Sequence, residues 1–265
     1  MTHTKKDKPE NFRLAILFIA VVLFFAFVSF SFKIFFLVKE STFDPNNNFN
    51  VEIVEGGERD VVSFSPKDKT ISVLQIGPKI NTQNLSLFLS IPIDAKISTD
   101  DNSFDPNHIT SFFIKSTFAF HKNFVQLTSL DSLRLALFAR TVSGSFVKIE
   151  TINGQETEDL KIISQSFKDP GIEEEGLSIE VVNATDTFGL GSRLAALISN
   201  IGGSVILVST KDVQKKSEII YQNDEGYTVK RLSKYLEFPK AKTNKRGVAD
   251  VTIIIGEDKV EGGKF

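Results

Sequence analysis

The longest hydrophobic stretch of the sequence lies near its N-terminus. Residues Leu14 to Phe32 contain no charged side chain, and the apolar pattern resumes from Ile34 to Val38 after a single lysine. At about 1.5 Å per residue, such a helix matches the roughly 30 Å of a bilayer's hydrocarbon core. A buried core helix is disfavoured because such runs usually end sooner, and a cleaved signal peptide because no small-residue cleavage site follows. We therefore predict a single transmembrane anchor over residues 14–38.

The charges that flank this segment predict its orientation. Residues 1–13 carry four basic and two acidic side chains, a net charge of +2, whereas residues 33–47 carry two of each. By the positive-inside rule, the tail of residues 1–13 stays in the cytoplasm and the rest of the chain is exported. The expected location is a single pass through the cytoplasmic membrane, with the C-terminal bulk outside.

Beyond a polar spacer at residues 39–49, short strands and amphipathic helices alternate over residues 50–166. Two apolar runs around Gly56-Gly57 predict a hairpin, and Asp105-Pro106 has the composition of a helix start. Strands are predicted at 51–54, 61–65, 70–76, 91–97, 147–152 and 160–163, and a helix at 81–89. Helical spacing predicts a further amphipathic helix with the apolar residues Leu130, Leu133, Leu137 and Phe138. This region is predicted to be a small mixed α/β domain.

The segment 167–176 joins the turn sequence Asp169-Pro170-Gly171 to an acidic run, which predicts a solvated linker. Residues 177–259 then follow the order βαβ-βαβ, with Gly202-Gly203 ending the first helix. The predicted strands are 177–182, 204–209, 217–222 and 248–255, and residues 260–265 form a tail. The expected fold class is α/β (α+β): a transmembrane helix, a mixed α/β middle domain and a C-terminal βαβ-βαβ two-layer sandwich.

The amino-acid composition excludes several kinds of partner and catalytic site. Hydrophobic residues make up 41% of the chain and charged residues 24%, so a packed core is expected. The net charge of −2 gives no chain-wide positive field for a nucleic acid, and we expect no nucleic-acid partner. The sequence has no cysteine, which excludes disulfides, cysteine-ligated metals and thiol nucleophiles. His108 and His121 have no obvious third ligand, so surface or capping roles are favoured over a metal site.

The C-terminal segment resembles a known bacterial family. Its strand and turn (residues 179–185), its Gly-terminated helix (189–203), its short strand with Tyr221 and its closing run from Ala249 to Asp258 are similar to the C-terminal domain of LytR-CpsA-Psr envelope proteins. The resemblance covers residues 177–259.

The middle region resembles a shortened relative of the LytR-CpsA-Psr catalytic domain. The run from Arg59-Asp60 to Pro66 and the strand ending at Lys79 are similar to the family's R-x-D-T and S-I-P-R-D elements, and Ile91-Pro92-Ile93-Asp94 to a later segment. The preceding G-x-D-x-R element is missing, and Lys79 and Ile80 replace the family's Arg and Asp. These departures put activity in doubt.

The resemblance implies a transfer of anionic glycopolymer from a lipid pyrophosphate to peptidoglycan. Such a leaving group needs several arginines and a carboxylate-held Mg²⁺, whereas the middle region offers only Arg59, Arg134 and Arg140. An active, minimal transferase would use Arg59 with Asp60 or Asp94 around Mg²⁺. The favoured interpretation of Arg59-Asp60 is instead an exposed ion pair on a solvated hairpin.

The leading hypothesis is a non-catalytic, membrane-anchored envelope protein without a cofactor. Its partners would be the lipid bilayer and peptidoglycan, another wall polymer or an envelope protein. A run of positive charge near the C-terminus is a candidate for binding an anionic polymer, although a solvated helix face with a loop is the favoured explanation. The candidate residues are Lys230, Arg231, Lys234, Lys245 and Arg246.

Overall fold

The computed structural model describes residues 9–78, 80, 82, 84–99, 104–118, 123–154 and 156–260. The chain divides into two compact units, Met1–Ser41 and Thr42–Phe265. The first contains helix α1, Pro9–Glu40, whose apolar side chains are exposed all round. In the described part of the chain, this one helix is long and apolar enough to cross a membrane. The prediction of an N-terminal helix of spanning length is confirmed, and the helix extends beyond 14–38 at both ends.

A six-stranded sheet organises the first part of the second unit. Its spatial order is β5-β4-β1-β2-β3-β6. β1, β2 and β3 form an antiparallel meander, β4 runs parallel to β1, and β6 runs parallel to β3. The strands are β1 Phe49–Glu55, β2 Glu58–Ser65, β3 Thr70–Ile76, β4 Ala95–Thr99, β5 Asn123–Val125 and β6 Val147–Ile152.

Helices cover both faces of this sheet, because alternate side chains of each strand point to opposite sides. On β2, Val62 and Phe64 belong to the core under α3 and α4, whereas Val61 belongs to the core under α2 and α5. The result is a three-layer α/β/α domain. Its helices are α2 Leu85–Leu89, α3 Ile109–Thr117, α4 Ser129–Thr141 and α5 Glu156–Ser166.

Several local predictions for this domain are wrong. Residues 160–163 lie in α5 rather than in a strand. On α4, Leu133 and Leu137 are exposed and the buried side includes Leu135 and Ala136. The predicted spacer is folded, since Phe43 and other residues of the segment are buried in the second unit.

A five-stranded mixed sheet organises the C-terminal part. Its order is β10-β9-β11-β7-β8, with β7 parallel to β8 and β11, and β9 parallel to β10 and antiparallel to β11. Helices α7 and α8 supply the apolar side chains that pack with the sheet residues in one core. The elements are α6 Pro170–Glu175, β7 Ser178–Asn183, α7 Leu190–Asn200, β8 Ser204–Thr210, β9 Glu218–Tyr221, α8 Tyr227–Leu236, β10 Lys240–Lys242 and β11 Val251–Ile255.

The predicted α/β class is confirmed, with two differences in the C-terminal part. The short edge strand β10 closes the second βαβ unit, so β11 is an additional strand placed between the two units. The acidic run that predicted a linker forms α6, in which Pro170, Gly171 and Ile172 are buried while Asp169 caps the helix by accepting from the Gly171 N–H at 3.0 Å. The predicted domain boundaries themselves stay a prediction.

Candidate functional site

Arg59, the arginine of the transferase hypothesis, is held inside the protein. Its Nε and Nη2 donate to Glu52 Oε1 at 2.8 and 2.5 Å, and its Nη1 donates to the Thr82 carbonyl oxygen. The exposed fractions of the Arg59 and Glu52 side chains are 15% and 8%. The predicted exposed ion pair with Asp60 is therefore wrong, because β2 directs Arg59 to the face of the sheet where Glu52 lies.

Asp60 lies on the other face of β2 and pairs with Gln75 of β3. Burial, with added repulsion from Glu58 and Glu55, raises the pKa of Asp60 to about 6. The strand ends around Asp60 line a cleft of about 440 Å³ together with Arg59. This carboxyl group therefore changes its charge near neutral pH beside a solvent-accessible cleft.

Asp94, the third residue of the transferase hypothesis, lies elsewhere. Its backbone N–H donates to the Asn50 carbonyl at the start of β1, whereas Asp60 pairs with Ile53 on the other side of β1. Two strand spacings and three residues of strand separate the two aspartates, which gives a Cα distance of roughly 14 Å. Among the described residues, no three His, Cys, Asp or Glu side chains meet as a metal site requires. The residues present do not fit the Mg²⁺ of that hypothesis.

The three arginines of the middle domain do not share one pocket. Arg134 and Arg140 are on α4, which covers the β2 face of Val62 and Phe64. Arg59 belongs to the opposite face, with Glu52. A pyrophosphate in contact with the guanidinium group of Arg59 would be separated from the other two by the sheet.

Arg231 is a buried ion-pairing residue rather than part of an exposed basic surface. Its guanidinium donates from Nη1 and Nη2 to the two oxygens of Asp94 at 2.9 and 3.1 Å, and from Nη2 to the Asn48 carbonyl at 2.9 Å. Its Nε lies 3.6 Å from Asp169 Oδ2. Burial disfavours the charged form, but Asp94 and Asp169 outweigh it, so the pKa of Arg231 is raised. Arg231 thus joins α8 to the middle domain.

Further polar contacts extend this junction. The Tyr227 hydroxyl donates to Asp169 Oδ2 at 2.8 Å, and burial is the main reason that the pKa of Asp169 is raised. The hydroxyl oxygens of Tyr235 and Ser86 are 2.9 Å apart. Asn200 of α7 donates to the carbonyl oxygens that end α2. We call these contacts, centred on Arg231, the domain junction.

The other residues of the basic cluster are spread over two elements. Lys230 and Lys234 are exposed on α8, and Lys234 donates to the Thr42 carbonyl at 3.3 Å. Lys245 and Arg246 are exposed in the loop before β11. Two neighbouring lysines of the same run, Lys240 and Lys242, form ion pairs with Glu225 and Asp224.

His108 lies at the start of α3 and pairs with a carboxylate, since its Nδ1 is 2.6 Å from Asp105 Oδ2. The hydrogen bond with His108 is the largest reason that the pKa of Asp105 is lowered. The His108 side chain is largely exposed and makes no capping hydrogen bond to α3, so the structure supports the surface role among the predicted alternatives, whereas His121 lies outside the described residues.

Sequence reasoning missed the junction. For Arg231 the sequence does indicate burial, because this residue lies between the apolar Val229 and Leu232 on the inner side of α8. For Asp94 and Asp169 the sequence gives no such indication, because 137 residues separate Arg231 from Asp94 and no sequence pattern pairs them.

Comparison with known proteins identifies the C-terminal domain. Residues 176–258 match the LytR_C family model, described as LytR cell envelope-related transcriptional attenuator. No curated protein matches the chain.

Solved structures show only weak global similarity. TagT (YwtF), a LytR-CPS2A-psr family protein with bound octaprenyl pyrophosphate lipid, is 14% identical, with 80% of this chain and 87% of that chain covered at a TM-score of 0.21. Another structure, Bacillus subtilis TagT, is 13% identical, with 80% of this chain and 87% of that chain covered at a TM-score of 0.19. A transcriptional regulator from Enterococcus faecalis is 12% identical, with 76% of this chain and 92% of that chain covered at a TM-score of 0.21.

Similarity at this level supports no conclusion about the middle domain, whose resemblance stays a prediction. The C-terminal resemblance is confirmed by the family model over residues 176–258. The chain therefore contains a LytR_C domain.

Proposed function

We propose that this protein is anchored in the cytoplasmic membrane by α1, with residues 1–13 in the cytoplasm and the folded body outside. The observation that carries the proposal is the exposure of apolar side chains on every side of α1, in a chain that carries a LytR_C domain. A helix exposing so much apolar surface is stable in lipid and not in water. The positive charge of the N-terminal tail supports the orientation.

The body is proposed to be non-catalytic. Arg59 is bound by Glu52 and Thr82, and Asp94 by Arg231, so two of the three residues of the transferase hypothesis already have partners in the protein. Releasing either one would break the shortest ion pair of a buried charge, which is costly, and would leave Glu52 with Lys96 at 3.6 Å or Arg231 with Asp169 at 3.6 Å. These residues therefore serve the fold.

The body is further proposed to bind an anionic wall polymer through the C-terminal domain. Lys230, Lys245 and Arg246 are exposed cations of that domain. Lys240 and Lys242 contribute less, because Glu225 and Asp224 pair with them. A polyanion gains about 1 kcal/mol per exposed cation near its charge, which is about fivefold in affinity.

The test is retention of the full chain, in detergent micelles, on purified wall material. Lys245→Glu with Arg246→Glu should reduce retention at least about tenfold, since two charges are reversed. The matched control is Lys215→Glu with Lys216→Glu, a double reversal of exposed lysines in the loop before β9. Equal loss in both variants would reduce the effect to bulk charge, and no retention of the unaltered chain at low salt would contradict glycan binding.

A minimal glycopolymer transferase is a second candidate, favoured by one observation. Asp60 has a pKa of about 6 and borders a cleft of about 440 Å³. A group that titrates there is suited to acid–base chemistry. Asp60→Asn separates the two candidates: loss of polymer attachment in cells with an unchanged protein level would support the transferase, and unchanged attachment the binding protein.

A further inference from the structure

The outward side of α3 and α4 carries apolar side chains in place of the polar ones expected there. Ile114 and Phe118 are one helical turn apart at the end of α3, and Leu133 and Leu137 are one turn apart on α4. Their exposed fractions are 45%, 71%, 38% and 55%. The two helices pack beside each other on the same face of the sheet, so these residues share one surface. We call it the α3–α4 surface.

The charges on the α3–α4 surface have one sign. Lys115 and Arg140 are exposed on the two helices, and Arg134 is partly exposed. Asp131 is the one carboxylate within α3 and α4, and it is fully buried. Nearby, at the start of α3, Asp105 is paired with His108. Exposed apolar side chains among cations are characteristic of surfaces that lie on anionic membranes.

Asp131 also fixes where the chain enters the body. Its carboxylate accepts from the backbone N–H groups of Thr42 and Phe43 at 3.3 and 3.1 Å, and the Thr42 hydroxyl donates to the Gln126 carbonyl at 2.8 Å. Only Ser41 separates Thr42 from the last residue of α1. One residue of chain thus lies between α1 and the first residue that Asp131 binds.

We infer that the α3–α4 surface lies on the anionic surface of the bilayer in which α1 is anchored, an inference that rests on the anchoring proposed above. Ile114, Phe118, Leu133 and Leu137 would enter the headgroup region, and Lys115 and Arg140 would contact lipid phosphates. A second copy of the chain fits this surface less well. It would bring the same cations towards each other, whereas anionic headgroups neutralise them.

The absence of cysteine from the sequence makes a direct test possible. An environment-sensitive fluorophore is attached to a single cysteine in the full chain, reconstituted in vesicles of phosphatidylcholine and phosphatidylglycerol. Quenching by spin-labelled lipid is measured for Leu137→Cys, for Val22→Cys in α1, and for Val213→Cys, an exposed site in the C-terminal domain. We expect the label at 137 to be quenched at least about threefold more than that at 213, since interfacial side chains lie within about 5–10 Å of the acyl boundary.

The charge requirement is tested in the Leu137→Cys background. Lys115→Glu with Arg140→Glu, or vesicles without phosphatidylglycerol, should remove most of the quenching, whereas Lys215→Glu with Lys216→Glu should leave it unchanged. If the label at 22 is quenched and that at 137 matches 213, the inference is overturned while the anchor stands. An unquenched label at 22 overturns both. Quenching of the label at 137 that does not depend on lipid charge also overturns the inference. A blue shift of that label without quenching overturns it in favour of a second copy of the chain.

Discussion

Replacing Arg231 by Met tests the domain junction. The Arg231, Asp94 and Asp169 side chains are 6%, 11% and 4% exposed, so the change leaves two nearly buried carboxylates without their cation. The Asn48 carbonyl also loses a donor. Removing one partner of a buried ion pair costs about 3–5 kcal/mol in free energy of unfolding. We expect a loss in that range at neutral pH.

The pH dependence of this loss identifies its cause. Burial already raises the pKa of Asp169, and removing the Arg231 charge takes away one of the causes that lower it. A carboxyl group whose folded pKa is raised lowers stability as the pH rises through that range, so the loss in Arg231→Met should shrink from pH 7 to pH 5. Asp94→Asn added to Arg231→Met should recover about 1–2 kcal/mol, because it removes one uncompensated charge.

The assay is urea unfolding of the full chain in micelles, followed by circular dichroism and by the fluorescence of the tyrosines. Tyr227 and Tyr235 both lie at the domain junction, so fluorescence reports on it directly. Arg193→Met, at an exposed position on α7, is the matched control and should change stability by less than about 0.5 kcal/mol. A loss below about 1 kcal/mol for Arg231→Met, or an equal loss at both pH values, would refute the reasoning.

Three further changes have defined outcomes. Asp60→Asn removes a carboxyl group whose pKa is raised from 3.8 to about 6, so the unaltered protein should lose stability from about pH 4 to pH 6 and the variant should not. Because Asp60 is partly solvated, we expect a gain of only about 1 kcal/mol at pH 7 in urea unfolding. Gly256→Ala places a methyl group 2.4 Å from a backbone carbon of the loop before β9, so we expect it to lower the free energy of unfolding by about 1–3 kcal/mol. Gly144→Ala, in open space, is the control and should leave thermal unfolding almost unchanged. Tyr235→Phe removes the hydroxyl contact with Ser86, so it should lower the free energy of unfolding by about 1 kcal/mol and speed amide hydrogen exchange in α8. Unchanged exchange would contradict a role of Tyr235 in the domain junction.

The sequence predicts those parts of the fold in which local pattern and packing agree. The apolar run of α1 and the hairpin at Gly56-Gly57 are of this kind, since both glycines have positive φ in a tight turn. On α4 the pattern is misleading. Leucines form its most apolar stripe, but the smaller Ser132, Ala136 and Ala139 are buried, and their size permits close packing of α4 beside α3.

Edge elements and long-range pairs carry little sequence signal. The strand β10, Lys-Ala-Lys, has no apolar pattern, because it is an exposed edge strand held by backbone bonds to β9. The short segment 160–163, with three apolar residues and one lysine, fits a strand or a helix equally well by periodicity. The contacts of Arg231 with Asp94 and Asp169 depend on how two domains pack, which no local pattern encodes.

Cysteine accessibility tests whether α1 holds the body outside the membrane. The cysteine-free chain allows Thr4→Cys in the N-terminal tail and Val213→Cys in the exposed loop after β8 to be compared. A membrane-impermeant maleimide is applied to protoplasts before and after lysis. We expect labelling of Val213→Cys in intact protoplasts and of Thr4→Cys only after lysis. Labelling of Val213→Cys only after lysis would contradict it.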